Sequence, residues 1–262
     1  MGQFDDETAV QRAGDRFTTR LSAAWGIGAN PNGGYAVQPV LRALGVAAAR
    51  PDPVSVTVHY LRPALGDAEG EIVTEVVRSG RRATHAAGRL LQDGQPRLTV
   101  AAVLCDLATP SSAAPDDGLT VPPPDIPPPV GCVDRAELDQ GIAVPLLSRV
   151  DVRVRRDGAS PGAVVEGWVR LRDGTAPTAA ALVLFADAFP PAVHAVMARV
   201  GWVPTLELTV HVRRRPSAGW VQARIECDDV ADGWMVETGS LWDETGALVA
   251  RSRQLGLVTH PG

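Results

Sequence analysis

Stretches of apolar and β-branched residues, broken by Gly, Pro and Asp turns, run along most of this chain and predict two sets of strands. The first set lies near 53–64, 68–79, 82–92 and 97–107. The second lies near 146–156, 163–172, 205–215, 219–229, 233–243 and 248–258. One helical stretch is expected in each set. In the first it covers 35–44, with Asn32 as N-cap, Gly45 as the closing residue and a bend at Pro39. The apolar run 178–186 is short, and Asp187-Ala188-Phe189-Pro190-Pro191 follows it as a helix-start signal. The run therefore reads as a buried strand, with the second helix beginning at Asp187.

The two sets repeat one another. Val56-Thr57-Val58-His59-Tyr60-Leu61-Arg62-Pro63 is matched by Leu208-Thr209-Val210-His211-Val212-Arg213-Arg214-Arg215-Pro216, with Thr, Val and His pairing at one offset. Further on, Gly88-Arg89-Leu90-Leu91-Gln92-Asp93-Gly94 resembles Gly239-Ser240-Leu241-Trp242-Asp243-Glu244-Thr245-Gly246, each a strand running into an acidic-glycine turn. Matches in the same order at nearly one spacing argue for an internal repeat. Between the halves, Val121-Pro122-Pro123-Pro124-Asp125-Ile126-Pro127-Pro128-Pro129 can neither donate ladder hydrogen bonds nor continue a helix, and predicts a stiff, extended connector. The expected divisions are 1–110, 111–135 for the linker, and 136–262. A helix packed on a curved antiparallel sheet, present twice, is an α+β architecture.

Composition narrows the function. The chain has 262 residues, 45% hydrophobic and 21% charged, with a net charge of −5. That suits a globular protein and offers no basic field for nucleic acid or anionic lipid. The longest apolar run is too short for a bilayer, and the acidic start lacks the order of a signal peptide. A cytoplasmic location is expected. Cys105, Cys132 and Cys227 lie far apart, and the chain carries no P-loop, H-E-x-x-H, C-x-x-C or G-x-G-x-x-G, so no metal or redox cofactor is expected.

The stretches Asn32-Gly33-Gly34-Tyr35, His59-Tyr60-Leu61-Arg62-Pro63, Ser79-Gly80-Arg81, Phe185-Ala186-Asp187 and Val249-Ala250-Arg251-Ser252-Arg253-Gln254 together resemble the TesB-like acyl-CoA thioesterases. The resemblance covers nearly the whole chain except the proline linker. It implies a tandem double hotdog, each half a long helix wrapped by a curved antiparallel sheet. It also implies an acyl-CoA substrate, with coenzyme A part of the substrate rather than a cofactor, and a homodimer. The family's catalytic Asp, Thr and Gln fall on Asp187, Thr205 and Gln254. The chain departs from the pattern with Pro190-Pro191 after Asp187, and Thr209 rivals Thr205 for the Thr role.

These residue types suit thioester hydrolysis. A carboxylate can take a water's proton, and a hydroxyl and an amide can fix the water's other directions. Gly33 and Gly34 permit close backbone approach and could offer N–H groups to the thioester oxygen or line the substrate. In the repeat, Asn32 falls near the place of Asp187, Pro53 near Thr205, and Ala101 or Ala102 near Gln254, so one catalytic centre per chain is expected. Taken alone, Asp187 could equally cap a helix, Thr205 could be an ordinary strand residue, and Gln254 could lie on an exposed strand face. His59 and His211 share a repeat position, which suggests a structural place. Arg213-Arg214-Arg215 reads as a solvated strand end, with contact to coenzyme A phosphates as the rival reading.

Three other readings compete with this one. Gly158-Ala159-Ser160-Pro161-Gly162 has the G-x-S-x-G form, but Pro161 lacks the N–H that a nucleophile elbow needs, so it reads as a hairpin turn. An enoyl-CoA hydratase or dehydratase of the same fold would need an acid–base pair. Asp187 and His194 on one helix would stand about 10 Å apart along its axis, too far to share one group. A non-catalytic acyl-CoA binding protein is the remaining alternative.

Overall fold

The computed structural model describes residues 2–108, 120–156, 162–197 and 203–259. The chain opens with α1 (Gln3–Glu7), β1 (Gln11–Ala13), β2 (Arg16–Leu21), β3 (Gly26–Ile27) and β4 (Asn30–Pro31). Two abutting helices follow, α2 (Gly33–Ala36) and α3 (Gln38–Ala48), then β5 (Asp52–Tyr60), β6 (Ala68–Ser79), β7 (Thr84–Gln92) and β8 (Gln95–Cys105). The second half contains β9 (Val133–Asp134), β10 (Val150–Val154), β11 (Val164–Leu171), α4 (Ala181–Ala186), β12 (Thr205–Val212), β13 (Val221–Ala231), β14 (Trp234–Asp243) and β15 (Leu248–Leu257).

All strands but β3 and β4 join one 13-stranded antiparallel sheet, in the order β1-β2-β6-β7-β8-β5-β12-β15-β14-β13-β11-β10-β9. The halves meet where β5 pairs with β12. Thr57 stands opposite Thr209, flanked by Val58–Leu208 and Val56–Val210, so the repeat offset of 152 maps the pairing onto itself. The bulges repeat as well. Pro53/Ser55 answers Thr205/Glu207, Val76/Arg78 answers Cys227/Asp229, and Leu90/Leu91 answers Leu241/Trp242. Shared irregularities of register are stronger testimony to duplication than the short sequence matches, because each bulge is a specific local distortion.

The predicted strands stand, with shifted ends. Two helix expectations need correction. The run 178–186 is not a strand: α4 forms within it, and Asp187 closes that helix instead of opening one. All six α4 residues are buried, so no amphipathic period could distinguish helix from strand. The Thr178 hydroxyl accepts from the Ala181 N–H at the helix start. Beyond Asp187, Pro190 and Pro191 prevent a long helix, and the chain makes only a short 3-10 turn, Ala192–Ala195. The long helix expected in each half is thus found, among the described residues, only in the first. There α3 runs past Gly45 to Ala48 and ends with Ala49 in the left-handed conformation. Asn32 does cap α2, accepting from the Tyr35 N–H, and the helix breaks at Val37 just before Pro39.

The proline segment lies as a strap along the outer face of the second half. Trp168, Gln222 and Trp242 form one cross-strand row on β11, β13 and β14. Their side chains donate to the carbonyls of Pro127 (2.8 Å), Pro124 (2.6 Å) and Val121 (2.7 Å). Carbonyls three residues apart recur on one side of a polyproline II helix, which suits this row of donors. Residues 158–161 of the G-x-S-x-G sequence lie outside the described residues, but β10 and β11 on either side pair antiparallel, as a hairpin requires. No described helix is long and apolar enough to cross a membrane.

Candidate active site

Asp187 sits where the two halves touch. Its backbone N–H closes α4 onto Leu184 O, which aims the carboxylate at α2 of the first half. There Oδ2 accepts from the Gly34 N–H (2.8 Å) and from Asn32 Nδ2 (2.8 Å), and the same amide holds the Asp187 carbonyl at 2.9 Å. Asn32, the repeat counterpart of Asp187, is therefore its direct partner. Gly34 allows the approach: a Cβ there would lie 2.8 Å from the Leu184 Cα and 2.9 Å from the Asp187 Cβ. Burial pushes the Asp187 carboxyl up to about 6, against the pull of the Gly34 and Asn32 hydrogen bonds and of Arg135.

Thr205 and Gln254 form the second pair. Gln254 Nε2 donates to Thr205 Oγ1 at 2.8 Å. Gln254 is buried on the core face of β15, not on an exposed one. Simple alternation from buried Leu208 would turn Thr205 away from this face. The bulge between Thr205 and Glu207 resets the alternation and brings it back. Thr209 faces away from the core, hydrogen-bonded to Thr57 (2.9 Å) and Glu207. The register places Ala102 opposite Val56 as Gln254 is opposite Leu208, so the first half carries a methyl where the second has an amide.

No hydrogen bond joins the two pairs among the described residues; Glu237 links them. It is the cross-strand neighbour of Gln254 and shares its buried face. Its Oε2 accepts from the Ala192 N–H at 2.6 Å. Burial, with a smaller push from the Asp187 charge, raises its carboxyl to about 7. Glu237 was missed in the sequence, although a signal was present: Met235, Glu237, Gly239 and Leu241 are alternate residues on an apolar face, and one of them is acidic. Arg135 was also missed. Its buried guanidinium donates to Ala188 O at 2.5 Å and Gln140 Oε1 at 3.0 Å. Burial lowers it to about 10, with Asp187 holding it up, so it stays charged at neutral pH. Nothing in its sequence surroundings marked it.

The remaining candidates separate from this cluster. His194 is exposed, on the far side of the two prolines and off any helix shared with Asp187, so an axial separation along one helix does not describe the pair. His59 and His211 occupy equivalent places in the two halves, both exposed on the outer sheet face. Arg215 makes a two-pronged ion pair with buried Asp52. No cluster of potential metal ligands occurs among the described residues.

Residues 21–106 match the family profile described as the acyl-CoA thioesterase N-terminal domain, and residues 120–258 match the acyl-CoA thioesterase C-terminal domain. An uncharacterized protein of Mycobacterium tuberculosis is 30% identical over 271 residues, covering 92% of this chain and 90% of its own. Among solved structures, a candidate thioesterase II of Thermobifida fusca superposes with a TM-score of 0.87 at 34% identity, covering 99% of this chain and 98% of that one. A hotdog-fold protein of Alicyclobacillus acidocaldarius gives a TM-score of 0.85 at 24% identity, with 100% of both chains covered. The chain thus belongs to the acyl-CoA thioesterase family, TesB-like in kind, and is a thioester hydrolase with a hotdog-type fold.

Proposed function

We propose that this chain hydrolyses acyl-CoA thioesters at one centre per molecule, where Asp187, Thr205 and Gln254 hold the attacking water. The observation that carries this reading is the Asp187 carboxylate: half-buried, anchored on one oxygen by two donors, and pushed up to about 6. A base with that value is charged at neutral pH yet still basic enough to accept a proton. The Thr205–Gln254 pair supplies a hydroxyl and an amide on the neighbouring buried face. In this reading water oxygen bonds to the thioester carbon as its proton passes to Asp187. The carbonyl electrons move onto oxygen, then return as the C–S bond breaks, and the proton leaves with the thiolate. The products are a carboxylic acid and free coenzyme A.

Gly33 and Gly34 serve this site through their backbone, anchoring Asp187 and lining the substrate's side of the first half. The duplicated register supports reading the chain as a tandem double hotdog, divided at 1–110, 111–135 and 136–262. The same reading includes a homodimer by resemblance, and a cytoplasmic location without cofactor or metal from composition and motifs. The test is release of free thiol from acyl-CoA by wild type and by Asp187→Asn, beside thermal-shift titrations with short, long, branched and aromatic acyl-CoAs. Turnover in wild type and its loss in the variant are expected. Binding by both proteins without turnover by either would instead favour a non-catalytic acyl-CoA binding protein.

A further inference from the structure

The site contains a donor with nothing to bind. The Tyr60 hydroxyl is buried and has no hydrogen-bond partner among the described residues. Tyr60 ends β5, and its ring lies against the first residue of α2: a Cβ on Gly33 would fall 2.9 Å from its Cζ and 3.0 Å from its Oη. The hydroxyl therefore borders the Gly33–Gly34 turn that holds Asp187. Burial, with the charges of Asp187 and Glu207, keeps the phenol well above its ordinary value, so it remains an O–H donor throughout the working pH range. A buried hydroxyl left unpaired is costly, and one that persists beside a reactive carboxylate calls for a ligand acceptor.

The donors nearest this turn are engaged elsewhere. The Gly34 N–H and the Asn32 amide, which could have served an oxyanion, both point at Asp187. Two of the Arg135 N–H groups go to Ala188 O and Gln140 Oε1. We infer that Tyr60 donates its hydroxyl hydrogen bond to the thioester carbonyl oxygen and to the oxyanion which that oxygen becomes, making it a catalytic residue supplied by the first half. This rests on the reading of Asp187 as the base that activates water. As water attacks the carbon and Asp187 takes the proton, the charge developing on oxygen meets a preplaced O–H; Tyr60 keeps its proton throughout.

The test is Tyr60→Phe, which removes one oxygen and retains the ring. A fall in kcat on the order of 10²-fold is expected with a smaller rise in KM, because such a donor holds the oxyanion more tightly than the ground-state carbonyl. The melting temperature should hold or rise, since the lost hydroxyl has no partner in the free protein. Binding of two inert analogues separates catalysis from packing. A ketone analogue, with CH2 in place of the sulfur, should bind Tyr60→Phe more weakly than wild type. A thioether analogue without the carbonyl oxygen should bind both alike. Unchanged kcat in Tyr60→Phe, or an equal preference for the ketone in both proteins, would overturn the inference while the hydrolase reading survives. Full activity in Asp187→Asn would remove both.

Discussion

The proton affinity of a carboxylate is set here by what surrounds it. In the proposed reaction Asp187 must be ionised to accept a proton, and burial holds it up to about 6. The logarithm of kcat/KM should therefore rise with pH and level off above a midpoint near 6, a limb absent from Asp187→Asn. The hydroxyls of β12 differ in the same way by placement. Thr205→Ala and Gln254→Ala should each lower kcat on the order of 10²-fold in a thiol-release assay. Thr209→Ala, on the other face of the strand, should leave it nearly unchanged. Equal losses at 205 and 209 would mean that the core face is not where the water sits. Residue type made Asp187, Thr205 and Gln254 legible in the sequence through family resemblance. Glu237 and Arg135 escaped because their roles come from neighbours distant in the chain.

At the scale of elements, the site depends on two short helices crossing backbone to backbone. Gly34 is the contact point between α2 and α4. Gly34→Ala would force a methyl into the Leu184 backbone, and overpacking of this kind costs about 1–3 kcal/mol. A melting temperature several degrees lower is expected by thermal denaturation; an unchanged value would show that the helices can part without penalty. The apolar run holding α4 was misread as strand for a physical reason. A segment buried on every side has no polar face, so period 3.6 and period 2 look alike. Half-buried strands such as β7 and β15 show their faces openly, and their predicted positions needed only trimming.

Across the whole molecule, folding brings the half-buried carboxyl of Asp187 near the buried carboxyl of Glu237 and the buried guanidinium of Arg135. Asp187 and Glu237 both have raised folded values, so the folded state holds their protons more tightly than the unfolded state does. Their protonated forms favour folding at low pH. That contribution declines as pH rises from the unfolded carboxyl range through about 7. For Glu237, moving from 4.5 to about 7, the lost contribution is on the order of 3 kcal/mol. Glu237→Gln should therefore melt higher than wild type at pH 8 and show little difference at pH 4. A constant difference across that span would mean that Glu237 titrates as an ordinary exposed carboxylate. The paired halves also cooperate at one point: the first half lends Asn32 and Gly34 to the carboxylate of the second.

The sequence alone determined the strands, the duplication and the residue types suited to hydrolysis, because turn chemistry, repeated spacing and side-chain identity are local properties written in order. The tertiary structure decided which partners those residues meet. Asn32 touching Asp187, the bulge that turns Thr205 toward Gln254, the buried acid at 237 and the unpaired Tyr60 hydroxyl all arise from contacts across long chain separations or from local breaks in regular pleating. Burial and register, which set proton affinity and direction, exist only once the chain is packed.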